Sequence, residues 1–280
     1  MKVSQITTVY NVEEWLEKTI QSFLSQTLED SELILVNDCS PDGCVDIIAK
    51  YVDNPRIKVV NNECNVGAGM SRQIGIDASI GEYTIFVDGD DWLEDDCLEQ
   101  MYNEAIATNA DVVSCAIYLH NDYGIYPIRA KGEIWKSEEK NTFLNNKLVK
   151  RDMWSKTHYS PLRFREDINT LYRLMELTNN IVYMPYAGYH YNLRPLSLTS
   201  TKGQMYKEQI YQALATIENI EWAKNNLEHP SRMYKSRYNI RHVELFYKLA
   251  KKYRNSDEFN KEFETIENYL KNNSNNSLWK

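Results

Sequence analysis

From residue 3 to residue 116 the chain repeats one pattern: a short apolar run, a polar loop, then a segment with apolar residues at helical spacing. The apolar runs fall at 3–9, 32–37, 57–61, 83–88 and 111–116. The first intervening helix carries Trp15, Leu16, Ile20, Phe23 and Leu24 on one face; Asn11 is placed to cap it, with Glu13 and Glu14 in its first turn. Further helices are predicted near 45–51, 70–79 and 93–108. Strands this short and apolar, separated by helices, form a mostly parallel sheet covered on both faces.

That architecture says where to look for a site, because such sheets bind ligands beyond the carboxyl ends of their strands. The polar residues follow the rule. The first strand runs into Thr8, Tyr10 and Asn11, and the second into Asn37 and Asp38. The third leads to Asn62 and Asn65, and the fourth ends at Asp88. The second half is less regular. Residues 117–150 read as strands and loops, 167–178 as a helix, 181–184 as a strand, and 204–270 as helices broken near Pro230 and 254–257. Residues 272–280 are Asn- and Ser-rich and read as a flexible tail.

The sharpest local feature is FVDGDDW, residues 86–92, where a buried strand stops at Asp88, Asp90 and Asp91. Carboxylates this close repel unless a cation neutralises them. Mg²⁺ characteristically uses one or two carboxylates and fills its octahedron with phosphate oxygens and water. Gly89 leaves space for a ligand to approach. Asp91 and Glu94 have the spacing of a capping box, so Asp91 is expected to cap the helix that follows. A dinucleotide fingerprint is not present: 67–72 lacks the third glycine and follows the third strand.

In chain order, TTVYN, LVNDCSPDG, NVGAGMSRQIGI, GEYTIFVDGDDWL, NKLVKRDMW, FREDI and YHYNLRPLSLT resemble glycosyltransferase family 2 over residues 3–200. The resemblance implies a GT-A, Rossmann-like α/β domain over 1–203, split into a nucleotide-sugar half (1–116) and an acceptor half (117–203). A helical appendage over 204–271 follows. It implies a nucleotide-diphospho-sugar donor and Mn²⁺ or Mg²⁺. Thr8 and Tyr10 stand at nucleotide-contacting positions. Asp38 matches the reader of a base imide N–H, similar to uracil. Asn65 and Arg72 flank the nucleotide, and Arg72 could pair with Asp38 or approach the diphosphate. Asp88 matches the first carboxylate of the D-x-D motif, near ribose and metal, and Asp90 the metal ligand. Glu166-Asp167 matches the acceptor-side pair, with Asp167 as general base and Glu166 as its alternate. His190 is a weaker third metal ligand, and Arg194 would neutralise the leaving group. Lys147 and Lys156 are weaker again. Asn145 departs from the pattern, which has an aromatic there.

Two other readings compete. A haloacid-dehalogenase-type phosphotransferase would use Asp88 and Asp90, but Trp92 stands where that motif wants a small residue. A non-catalytic sugar-nucleotide-binding module is the other.

The charge is uneven. The net charge is −8, yet residues 224–254 carry nine Lys/Arg against two Glu. That local +7 leaves −15 for the rest. The basic segment reads as a solvated helical face, an anionic-lipid surface or a nucleic-acid patch. The last two would suit an acceptor that is a lipid-linked glycan or a modified nucleic acid. Five cysteines without a C-x-x-C pair read as free thiols, and no long apolar run occurs. The expected setting is cytoplasmic, peripheral at the inner membrane face.

Overall fold

The computed structural model describes residues 1–121, 124–128, 143–163, 165–178, 180–193, 205–231, 234–235, 238–253 and 259–273. The first half alternates as the pattern demands: β1 (Val3–Val9), α1 (Glu13–Leu24), β2 (Ser31–Asn37), α2 (Cys44–Ala49), β3 (Ile57–Asn61), α3 (Ala68–Ala78) and β4 (Tyr83–Phe86). Strands β3-β2-β1-β4 lie side by side, all parallel. Their carboxyl ends therefore share one edge.

The sheet continues in mixed directions. Next come β5 (Trp92–Leu93), α4 (Cys97–Thr108), β6 (Val112–Asn121), β7 (Gly124–Ile128) and β8 (Lys147–Lys150). A 3₁₀ turn (Arg151–Ser155), α5 (Glu166–Leu177) and β9 (Ile181–Asn192) follow. Strand β8 is wedged antiparallel between β4 and β6, and β9 runs parallel to β6.

Period-2 side chains divide the core between two faces. Leu33 and Leu35 pack under α1 and α4 with Leu16, Ile20, Phe23 and Leu98. Ile34 and Val36 face the other way, towards Ile76 of α3 and Leu171 and Leu174 of α5. A third cluster lies in the C-terminal helices α6 (Met205–Asn226), α7 (Ile240–Tyr253) and α8 (Asn260–Asn273). The expected boundary at 203/204 falls outside the described residues, and the expected tail at 272 begins inside α8.

Three local expectations are corrected. Asn11 does not cap α1: the cap residue is Val12, and Asp42 Oδ2 accepts from the Glu13 N–H at 2.9 Å. Glu13 Oε2 in return accepts from the Gly43 N–H, so α1 and α2 cap one another across the loops. Helix α4 starts at Cys97 rather than 93, because Trp92 and Leu93 pair with His190 and Tyr189 of β9. Strand β9 does not stop at 184. A register shift opposite 114–116 absorbs Pro185, and pairing with β6 continues to Asn192.

Candidate active site

The shared edge is built by backbone ties between loops. Asp38 N–H donates to the Val9 carbonyl, Asn62 N–H to Asn37, and Val87 N–H to Ile6. Asp38, 2% exposed, then organises the neighbouring loop. Its Oδ1 accepts from Asn62 Nδ2 (2.9 Å) and Val66 N–H (2.8 Å), and its Oδ2 from Gly67 N–H (2.9 Å). Three hydrogen bonds leave Oδ2 a further lone pair for a ligand donor. Gly67 has φ +90°, which a residue with a side chain adopts only under strain. Thr8 is half-buried and Tyr10 is 48% exposed, flanking Val9, whose carbonyl accepts from the Asp38 N–H. Asn65 is clasped by Arg163, whose guanidinium donates to its Oδ1 (3.1 Å) and carbonyl (3.2 Å).

Arg72 joins the two sides of the site. It is 5% exposed and lies over the Tyr159 ring at 5.3 Å. Its guanidinium donates to Asp88 Oδ1 at 2.7 Å and to Glu166 Oε1 at 2.9 Å. Arg72 therefore does not pair with Asp38. The close approach depends on glycine at the second position of α3: a Cβ on Gly69 would meet the Ser160 carbonyl at 2.2 Å and the Glu166 side chain at 3.1 Å.

The three aspartates divide. Asp88 accepts from Arg72 and, through Oδ2, from Asn145 Nδ2 at 2.7 Å. Asp90 is half-exposed. Asp91 is 1% exposed and caps no helix. Its Oδ1 accepts from the Asn192 N–H at 2.8 Å and its Oδ2 from the Tyr189 hydroxyl. Burial, then the neighbouring Asp90 and Asp88, push the Asp91 carboxyl well above the ordinary range. Gly89 makes room for the protein: its Cβ would strike Val12 at 2.9 Å and the Thr8 carbonyl at 3.0 Å.

Glu166 and Asp167 open α5, where the helix dipole favours them. Burial, then the Asp167 charge, push Glu166 up to about 7, against the pull of Arg72. Burial also raises Asp167. Glu166 is committed to Arg72, whereas Asp167 accepts through Oδ1 from its neighbour's Ile168 N–H at 2.7 Å.

His190 is placed elsewhere. Its Nε2 meets Glu94 at 2.9 Å and its Nδ1 meets His120 at 2.8 Å. Its ring stacks on Trp92 and Tyr118, and Lys18 covers Trp92 at 3.0 Å. Both nitrogens thus face protein partners rather than the aspartates. Lys147 is fully buried, donating to the Phe143 carbonyl and to Asn146 Oδ1, and burial pulls it down to about 7. Lys156 is exposed after the 3₁₀ turn. Arg194 lies outside the described residues. Sequence reading missed Asn145 and Tyr189 as parts of the site; the only signal was that Asn145 breaks the family pattern.

Among the described residues no cluster of three His, Cys, Asp or Glu would hold a cation unaided. The carboxylates of Asp88 and Asp90 still suit a hard divalent ion that takes its remaining oxygens from a diphosphate and water.

A profile for glycosyl transferase family 2 matches residues 4–172. The chain belongs to glycosyltransferase family 2. Membership of this family sets aside the haloacid-dehalogenase reading. Among curated relatives, the cholesterol galactosyltransferase of Borreliella burgdorferi is 39% identical over 119 residues, 42% of this chain and 33% of that protein. The glycosyltransferase GlyA of Streptococcus pneumoniae is 25% identical over 235 residues, 76% of this chain and 34% of that one. The chain thus spans about a third of the length of these family 2 relatives. S. aureus TarS in complex with UDP-GlcNAc superposes with a TM-score of 0.69 at 19% identity, over 97% of this chain and 92% of that one. The mannosyltransferase PcManGT of Pyrobaculum calidifontis, in complex with GDP-Man and Mn²⁺, does so at 0.60 and 12%, over 99% and 76%. The sheet with its flanking helices is a GT-A fold.

No helix among the described residues is long and apolar enough to cross a membrane. On α7, Val243 and Ala250 are buried, while Arg241, Leu245, Lys248 and Lys251 are exposed. Tyr234 and Tyr238 pack into the helical core, so part of the aromatic content of the basic segment is structural. Arg232, Arg237 and Arg254 lie outside the described residues.

Proposed function

We propose that this family 2 member transfers a sugar from a nucleotide diphosphate, UDP by the Asp38 reading, to an acceptor hydroxyl with inversion. The observation that carries the reading is the Arg72 bridge. It ties a carboxylate at a strand end to one at the start of α5, which supports reading Asp88 and the Glu166-Asp167 pair as parts of one site. Nucleotide-sugar or nucleotide complexes of fold neighbours support the donor class.

In this reading Thr8, Tyr10, Asp38 and Asn65 hold the nucleotide. Asp90, with Asp88 beside it, would hold Mn²⁺ or Mg²⁺, which when bound would supply positive charge to the diphosphate leaving group. Asp167 takes the acceptor hydroxyl's proton as that oxygen bonds to the anomeric carbon. The bond from that carbon to the diphosphate oxygen breaks in the same step, and the nucleotide leaves with the electron pair. One displacement inverts the centre. A carboxyl raised by burial is a better proton acceptor than an ordinary aspartate. Glu166 is less suited, since Arg72 holds it.

A glycan or lipid-linked saccharide fits as acceptor. The exposed cations of α7 would favour an anionic one, or an anionic membrane beside it; a modified nucleic acid is the lesser alternative. Sugar transfer and donor hydrolysis with Mn²⁺ are measured for wild type, Asp90→Ala and Asp167→Asn. Both variants should fall by about 10²-fold or more. Full activity in both would sink the assignment. Tight UDP binding by wild type without turnover on any acceptor would favour a non-catalytic module.

A further inference from the structure

We propose that Asn145 is a positioning residue for Asp88: it sets the carboxylate's orientation towards the donor, and so the donor affinity of the site. The inference rests on the donor-binding reading of Asp88 given above.

Asn145 sits in the turn before β8, far from Asp88 in sequence. Its single Nδ2 reaches two oxygens: Asp88 Oδ2 at 2.7 Å and the Tyr189 hydroxyl at 3.3 Å. The amide orientation is dictated by its neighbours. A carboxylate only accepts, and the Tyr189 proton is already given to Asp91. Both Asn145 N–H groups are therefore consumed. The result is a continuous chain of hydrogen bonds: Arg72 to Asp88, Asn145 to Asp88 and Tyr189, Tyr189 to Asp91, and the Asn192 amide to Asp91.

That chain fixes Asp88 from both sides. Arg72 claims Oδ1 and Asn145 claims Oδ2, so the carboxylate cannot rotate without breaking a charge-assisted bond. It also links the two aspartates by a neutral spacer, which offsets part of their repulsion. The turn that carries Asn145 is itself anchored. Asn146 donates to the Cys115 carbonyl and to Ser114 Oγ (3.4 Å), and Lys147 donates to the Phe143 carbonyl closing the same turn. Asn145 is thus held on a rigid support, as orienting groups must be.

The test is calorimetric titration of UDP in saturating Mn²⁺ on wild type, Asp88→Asn, Asn145→Leu and Asn145→Gln, with thermal melts. Asn145→Leu keeps the bulk and removes both donors. It should weaken UDP by about tenfold, the loss of one charge-assisted hydrogen bond. In steady state it should raise donor KM with acceptor KM unmoved. Asn145→Gln retains the amide and should recover part of the affinity without a higher melting temperature than Asn145→Leu. Affinity within twofold of wild type in Asn145→Leu overturns the inference. So does a loss that tracks melting temperature alone across the two Asn145 variants. Failure of the underlying reading is separate: it shows as no UDP binding by wild type, or no effect of Asp88→Asn.

Discussion

Two buried arginines mark the two halves of the molecule and do different work. Arg72, at the edge of the parallel sheet, bridges Asp88 and Glu166, whose side chains stay 29% and 13% exposed. Arg173, on α5, faces the helical region: its Nε donates to Asn219 Oδ1 at 3.0 Å and its Nη2 pairs with Glu218 at 2.8 Å. Glu218 also accepts from Ser160, and Asn219 from the Tyr234 hydroxyl. The first arginine ties together acids from the end of β4 and the start of α5. The second uses its charge to dock α6 against α5, seven residues along the same helix that begins with Glu166 and Asp167. A buried cation is therefore no sign of a site by itself, and neither is an exposed partner, since Glu218 is 24% exposed and Glu166 13%; what matters is which elements the partners belong to.

The comparison can be broken by removing each cation. Arg72→Met should give the largest effect. It strands two carboxylates, costs about 3–5 kcal/mol in urea unfolding and takes UDP affinity and transfer with it. Arg173→Met should cost a similar or smaller amount in stability, yet leave UDP affinity within a few-fold in protein still folded. Equal loss of UDP binding in both would show that the halves are not separable. Gly75→Ala probes the parallel sheet and its cover helix α3 by packing alone. The new Cβ would lie 2.3 Å from Cγ2 of the buried, branched Ile6 side chain and 3.4 Å from Val36 Cγ2, and should cost about 1–3 kcal/mol by the same measurement.

The last test is a pH dependence. Lys147 falls from an ordinary 10.5 to about 7 because burial penalises its charge. Between those values the unfolded chain binds a proton that the folded chain lacks, so this group adds stability as pH rises from about 7 towards 10.5. Below 7 the contribution is lost. Unfolding at pH 7 and 9.5 should show that rise in wild type and less of it in Lys147→Met.

The parallel part of the sheet is readable in the sequence because its contacts are periodic and local. Apolar runs at period 2 and helical spacing placed β1 to β4, and the parallel direction placed Asp38, Asn65 and Asp88 on one edge. Local logic failed where a distant partner outbid it. Asp91 and Glu94 have capping-box spacing, but Tyr189 and Asn192, a hundred residues on by chain order, claim the aspartate. Pro185 should end a strand, and a bulge lets β9 pass it. Arg72 finds Glu166 rather than the nearer Asp38, and Asn145 finds Asp88, through tertiary packing that no short window encodes. The helices after 204 were readable as helices, but their docking through Arg173, Asn219 and Tyr234 was not.

The wedge of β8 between β4 and β6 has a consequence for synthesis. Strand β4 gains its second neighbour only when Lys147–Lys150 leaves the ribosome, long after Phe86. Until then a nascent chain carries an open β4 edge, and the loop after it lacks Asn145 and, later still, Tyr189. The aspartates of the proposed donor site are thus made early and seated late, so a stalled or truncated product would hold the sheet's first strands without that site's later partners.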